Sequence, residues 1–213
     1  MIRREPEQNP RAPKPHNPLE KRRLAEGIVR ELLASQSEQL GALVPFLGAG
    51  VYLIFYRGEF PLYAPLARAN RRTLQYPIYV GQAVSSGSRK GKAFSDAVDS
   101  PALFNRLNQH ANSVRAARNL DIADFDCRFL VVEEFWITLA ESLLIESYRP
   151  LWNIVLDGFG NHDPGAGRRQ GRRPNWDTLH PGRAWADRLQ PGLVGLAEIE
   201  ARVSSHLLET NYP

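Results

Sequence analysis

Val51-Tyr52-Leu53-Ile54-Phe55-Tyr56 is an unbroken run of β-branched, aliphatic and aromatic residues directly after Gly48-Ala49-Gly50. Such side chains fit a pleated surface, and a run this apolar reads as a buried strand. Tyr76 to Ala83 (YPIYVGQA) is a second predicted strand, with Pro77 near its start and Gly81 near its end. The connection from Arg57 to Gln75 is too long for a tight hairpin and is expected to contain a turn of helix. Phe125 to Val132 is a third strand.

Helical spacing surrounds these strands. Leu24, Ile28 and Leu32 recur every four residues behind an Asn17-Pro18 start signal, predicting a helix from Pro18 to Ser35. A short helix is expected over Glu38–Val44. Ser100-Pro101 opens another, with Leu103, Leu107 and Val114 on its apolar side. Thr138 to Ser147 and Leu193 to Leu208 read as two more. The order of elements predicts an α/β (α+β layered) fold, a small central sheet of about three strands flanked by helices. Residues 1–45 form an N-terminal arm and helix, 46–155 the core, and 156–213 a basic loop and helix of the same domain. The proline-rich residues 1–18 read as extended, and 157–191 show little periodicity.

The 213 residues carry 27 Lys+Arg against 23 Asp+Glu, a formal charge of +4. The cations are clustered: Arg71-Arg72, Arg89-Lys90 with Lys92, and Arg168-Arg169 with Arg172-Arg173. These runs sit in loops able to follow a phosphate backbone, and Arg is the usual reader of guanine, so they are candidate DNA contacts. The single cysteine, Cys127, excludes an intramolecular disulfide and a Cys-based zinc site, which suits a reducing cytoplasm. The apolar stretch Leu43–Tyr56 is 14 residues long and interrupted by Pro45, Gly48 and Gly50, whereas a bilayer span needs about 20. No membrane partner is expected. Gly48-Ala49-Gly50 is not a dinucleotide loop, because Leu53 stands where the third Gly belongs and the motif precedes its strand.

Arg106 and His110 lie four apart on a predicted helix and therefore share a face. Glu141 sits among apolar neighbours on another helix, and Asn153 follows Pro150-Leu151-Trp152. Gly50-Val51-Tyr52, Tyr79-Val80-Gly81, Arg106, and Glu141 with Pro150 and Asn153 behind it resemble, in order, the motifs of the GIY-YIG nuclease superfamily. His110, the loop after Gln82-Ala83 and the tail Leu179-His180-Pro181-Gly182-Arg183 resemble its restriction and homing branch. The two Tyr motifs stand 27 residues apart, a longer connection than family members often have.

The resemblance implies a DNA endonuclease. Glu141 would hold one divalent metal, Mg²⁺ with Mn²⁺ as a possible substitute. Tyr52 or His110 would prepare the water, Tyr79 would position phosphate or water, and Asn153 would hold the architecture. Arg106, or Arg89, Lys90 or Lys92 in its place, would neutralise the phosphate. A type II restriction enzyme fits best, working on double-stranded DNA at a palindromic, G-containing site. It would act as a homodimer whose interface uses the N-terminal helix or the 57–75 insertion. A repair or structure-selective nuclease, or a non-catalytic DNA-binding protein on the same fold, is the alternative. His162-Asp163, His180 and His16 read as loop residues with no partner to complete a site.

Overall fold

The computed structural model describes residues 21–85, 99–163, 165, 171–210 and 212. The central strand β2, Gly50–Tyr56, is buried along its whole length. It pairs antiparallel with β3, Tyr79–Ala83, on one side and with β4, Phe125–Val131, on the other. A two-residue strand β1, Glu38–Gln39, adds to the far edge of β4, giving the order β1-β4-β2-β3.

Alternate residues of β2 feed two cores, which is why the run has no polar member. Val51, Leu53 and Phe55 pack with Leu32 of helix α1 (Lys21–Ala34) and with Ile137, Ala140 and Leu144 of helix α4 (Glu134–Tyr148). Tyr52, Ile54 and Tyr56 face the opposite way, onto Leu103, Leu107 and Ala111 of helix α3 (Ala102–Ala116). The same core takes Leu66 and Ala67 of α2 (Ala64–Asn70), Leu151 and Trp152 of α5 (Leu151–Ile154) and Trp176 of α6 (Asn175–Leu179). After the short α7 (Ala184–Asp187), α8 (Leu196–Glu209) closes this layer with Ile199, Val203 and Leu207. Each large apolar side chain buried in these layers contributes about 1.5–3 kcal/mol. Among the described residues no helix is long and apolar enough to cross a membrane.

Several boundaries differ from the sequence expectation. Glu38–Val44 is not a helix: Glu38 and Gln39 pair with Cys127 and Asp126, and only Leu40–Ala42 turns, as a 3-10 helix. The sheet therefore has four strands, the fourth built from residues with no strand-like pattern. Helix α4 starts at Glu134, four residues before Thr138, and the last helix starts at Leu196. The 57–75 connection does contain helix, α2, after a 3-10 turn at Pro61–Tyr63. Buried Asn70 closes it, donating to the carbonyls of Tyr56 and Tyr76 and accepting from the amides of Gln75 and Tyr76. The expected arm at 1–18, with His16, lies outside the described residues.

Candidate active site

Tyr52 enters the site because β2 aims its even-numbered residues at α3. Directly across the ladder stands Gly81 of β3. A Cβ there would lie 2.3 Å from the Tyr52 hydroxyl oxygen, so only glycine lets the phenol lie over β3. The Tyr52 hydroxyl then meets Nε2 of His110 at 2.7 Å. His110 is buried, its ring stacked on Phe159 with centroids 4.5 Å apart and set edge-on to Tyr79 at 5.1 Å.

Arg106 stands one turn before His110 on α3. Its guanidinium donates to His162 Nε2 at 2.6 Å, to the Gly160 carbonyl at 2.9 Å and to Gln109 Oε1 at 3.3 Å. The Tyr52 and Tyr79 hydroxyls both lie within electrostatic reach of this guanidinium. Glu141 comes from α4, on the other face of the sheet, yet lies within electrostatic reach of Tyr52, Tyr79 and Arg106. The edge strand β3 runs between the two helices, so the site straddles it.

Burial dominates the electrostatics. It pushes the Tyr52 phenol well above its ordinary value, with Tyr79 adding to the rise and Arg106 opposing it. It pushes His110 well below its ordinary value, helped by the positive charge of Arg106. At neutral pH the pair is therefore a phenol donating to a neutral imidazole. Burial also raises the Glu141 carboxyl, against the pull of Arg106. Among the described residues no cluster of three or more His, Cys, Asp or Glu could cage a metal. A half-buried single carboxylate suits an ion that keeps most of its own water, as Mg²⁺ does.

Asn153 touches none of these groups through its side chain. Its amide accepts from the Val80 N–H at 2.8 Å and donates to the Val80 carbonyl at 2.9 Å, fixing the backbone between Tyr79 and Gly81.

Of the basic clusters, Arg71 and Arg72 are exposed just after α2. Arg172 is exposed and lines a cavity of about 590 Å³ with His162, Asp163 and Trp185. Arg173 instead donates to the carbonyls of Ala186 and Asp187, tying the C-terminal segment together. Arg89, Lys90, Lys92, Arg168 and Arg169 lie outside the described residues.

Sequence reasoning missed three features around the site. His162, read as a plain loop residue, bonds Arg106. His180, read likewise, is fully buried between Tyr63 and Asn119, with Nε2 at 2.7 Å from the Tyr63 hydroxyl and Nδ1 at 3.0 Å from Asn119 Oδ1. Arg183 and Asp177 form a buried two-pronged ion pair, and Arg183 also donates to the carbonyls of Gly158, Phe159 and Asn161. A signal existed for the last two, since His180 and Arg183 both stand in the tail that resembles the restriction branch. None existed for His162.

A family model described as the Eco29kI GIY-YIG domain matches residues 44–207, more than three quarters of the chain. No curated protein matches the chain. The matched span contains both Tyr strands, the α3 pair Arg106 and His110, Glu141 and the Arg183 tail, and with that coverage the chain belongs to the Eco29kI GIY-YIG family of nucleases.

Proposed function

We propose that this chain is a type II restriction endonuclease that hydrolyses phosphodiester bonds in both strands of a specific duplex site, using one divalent metal. The observation that carries the reading is the convergence of Tyr52–His110, Tyr79, Arg106 and Glu141, drawn from four elements, around one strand edge. Each supplies something that attack on a phosphodiester needs.

Activating the water needs a proton acceptor. Neutral His110 is one, and the Tyr52 hydroxyl is the group bonded to it. As the water proton reaches the Tyr52 oxygen, the phenol passes its own proton to His110 Nε2, so no free phenolate has to form. Tyr52 has no exposed surface, so water approaches from the side of Tyr79, the less buried of the two phenols. Arg106 donates to the non-bridging oxygens, where negative charge builds in the transition state. Glu141 would hold the divalent metal, which when bound would supply Lewis-acid polarisation of the phosphate and charge stabilisation at the departing 3′-oxygen.

One active site per chain calls for two chains, or two visits, to cut a duplex. A homodimer on a palindromic site meets this, because the protein and DNA two-folds coincide. Exposed Arg71, Arg72 and Arg172 support contacts to phosphate or guanine. The test is incubation of the full chain with plasmid and Mg²⁺. Discrete, reproducible fragments are expected. Nicking confined to lesions or branches would replace this reading with a repair nuclease, and an intact plasmid with a mobility shift would replace it with a DNA-binding protein.

A further inference from the structure

The Arg106 guanidinium is gripped from outside its own helix. His162 Nε2 at 2.6 Å and the Gly160 carbonyl at 2.9 Å both belong to the loop that follows Phe159. An arginine only donates, so the His162 nitrogen facing it must be unprotonated and accept. Burial, then the charges of Arg106 and Arg183, hold the His162 imidazole below its ordinary value and so in the accepting form.

The loop is itself fixed from behind. Arg183, almost fully buried, spends its donors on the carbonyls of Gly158, Phe159 and Asn161 and on both oxygens of Asp177. Its guanidinium also lies over the Trp176 and Trp185 rings at 4.6 and 4.7 Å. Gly160 completes the fit. A Cβ there would stand 2.9 Å from a terminal nitrogen of Arg106 and 3.0 Å from the Tyr79 hydroxyl. The bare position lets the loop backbone come close to the pair, where a side chain would push against both groups. A contact chain therefore runs from Asp177 through Arg183 to the loop, and from the loop to Arg106.

We propose that His162 is a positioning residue for phosphodiester cleavage, holding Arg106 in place for the scissile phosphate from a loop that the C-terminal segment builds. This rests on the nuclease reading above. A guanidinium on three flexible methylenes would otherwise lose rotamer entropy on every encounter with DNA. Two acceptors set by the loop remove that freedom beforehand.

The test compares single-turnover cleavage of target DNA in Mg²⁺ by the full wild-type chain, His162→Ala, His162→Gln, Arg106→Ala and the His162→Ala/Arg106→Ala double variant. DNA affinity is measured alongside without metal. His162→Ala is expected to slow cleavage by up to about 100-fold, the scale of a misplaced catalytic group, with affinity changed only a few-fold. His162→Gln, which keeps an acceptor, is expected to recover most of the rate. In the Arg106→Ala background, loss of His162 is expected to cost nothing further, because its effect passes through that guanidinium. Unchanged cleavage by His162→Ala would overturn the proposal, as would a penalty that persists undiminished without Arg106, since His162 would then act on DNA directly. A wild-type chain that cuts no DNA would overturn the nuclease reading as well; an active wild type with a neutral His162→Ala overturns this inference alone.

Discussion

Glu141 is half-buried, and burial lifts its carboxyl while Arg106 draws it down. Ionising a carboxylate in that setting is costly unless a cation meets it, which a metal would do. Glu141→Gln keeps the shape and removes the charge. Cleavage is expected to fall by orders of magnitude, while DNA binding without metal holds or tightens, because a group that repels phosphate has gone. Glu146, exposed on the same helix, is the internal control and Glu146→Gln should cut normally. Plasmid cleavage beside a binding titration reads both, and a fully active Glu141→Gln would remove the centre of the mechanism. At this scale the sequence was legible wherever a residue sat in a regular element. Tyr52 and Tyr79 stand in strands and were singled out by the motifs they belong to, and Arg106 with His110 by helical spacing as well. His162 was not legible, because it stands in a glycine-containing loop whose path is set by Arg183, 21 residues further along. No local pattern carries that information.

The same contrast separates whole elements. β2 announced itself as an unbroken apolar run, and α3 and the body of α4 through apolar residues at helical spacing. β1 did not: Glu38 and Gln39 are exposed residues that extend only because β4 offers them a ladder. The loop at 158–161 likewise has no periodicity to announce it, since its carbonyls are held by Arg183, which pairs with Asp177. Burial raises the Asp177 carboxyl even though Arg183 bonds both its oxygens, so this pair is held at some desolvation cost and is expensive to break. Arg183→Lys keeps the charge and loses the planar fork, freeing three loop carbonyls from their donor. Stability is expected to drop by about 1–3 kcal/mol, the scale for leaving buried acceptors unsatisfied, and cleavage should fall further than the population of unfolded chain explains. Urea titration with single-turnover kinetics at full occupancy separates the two effects. A variant that loses stability but cuts at the wild-type rate would show that the segment only supports the fold.

Across the whole molecule, buried histidines make the fold sensitive to acid. His180 is pushed down to about 3 by burial alone, so it stays neutral in the folded chain. The unfolded chain binds a proton near pH 6.5, so stability is complete above that value. It falls as pH drops from there towards 3, by up to about 1.4 kcal/mol per pH unit for each such histidine. His180→Gln removes one titrating group, and urea unfolding at a series of pH values should give it a slope shallower by about one proton; parallel slopes would show that His180 is not held neutral. Asn153 has a consequence of a different kind. Its side-chain amide presents to Val80 the same donor and acceptor that a neighbouring backbone would, and the adjacent Trp152 N–H satisfies the Ile78 carbonyl at 2.9 Å. These two residues stand in for a missing fifth strand and seal part of an edge on which other copies could otherwise template. Asn153→Ala should therefore do more than disturb catalysis. It bares both backbone groups of Val80, and light scattering should follow the growth of soluble assemblies during concentration where the wild type stays clear. If the variant remained as dispersed as the wild type, the amide would be serving the active site alone; if it clumps, the residue that squares up the Tyr79 strand is also what keeps the protein from becoming its own aggregation seed.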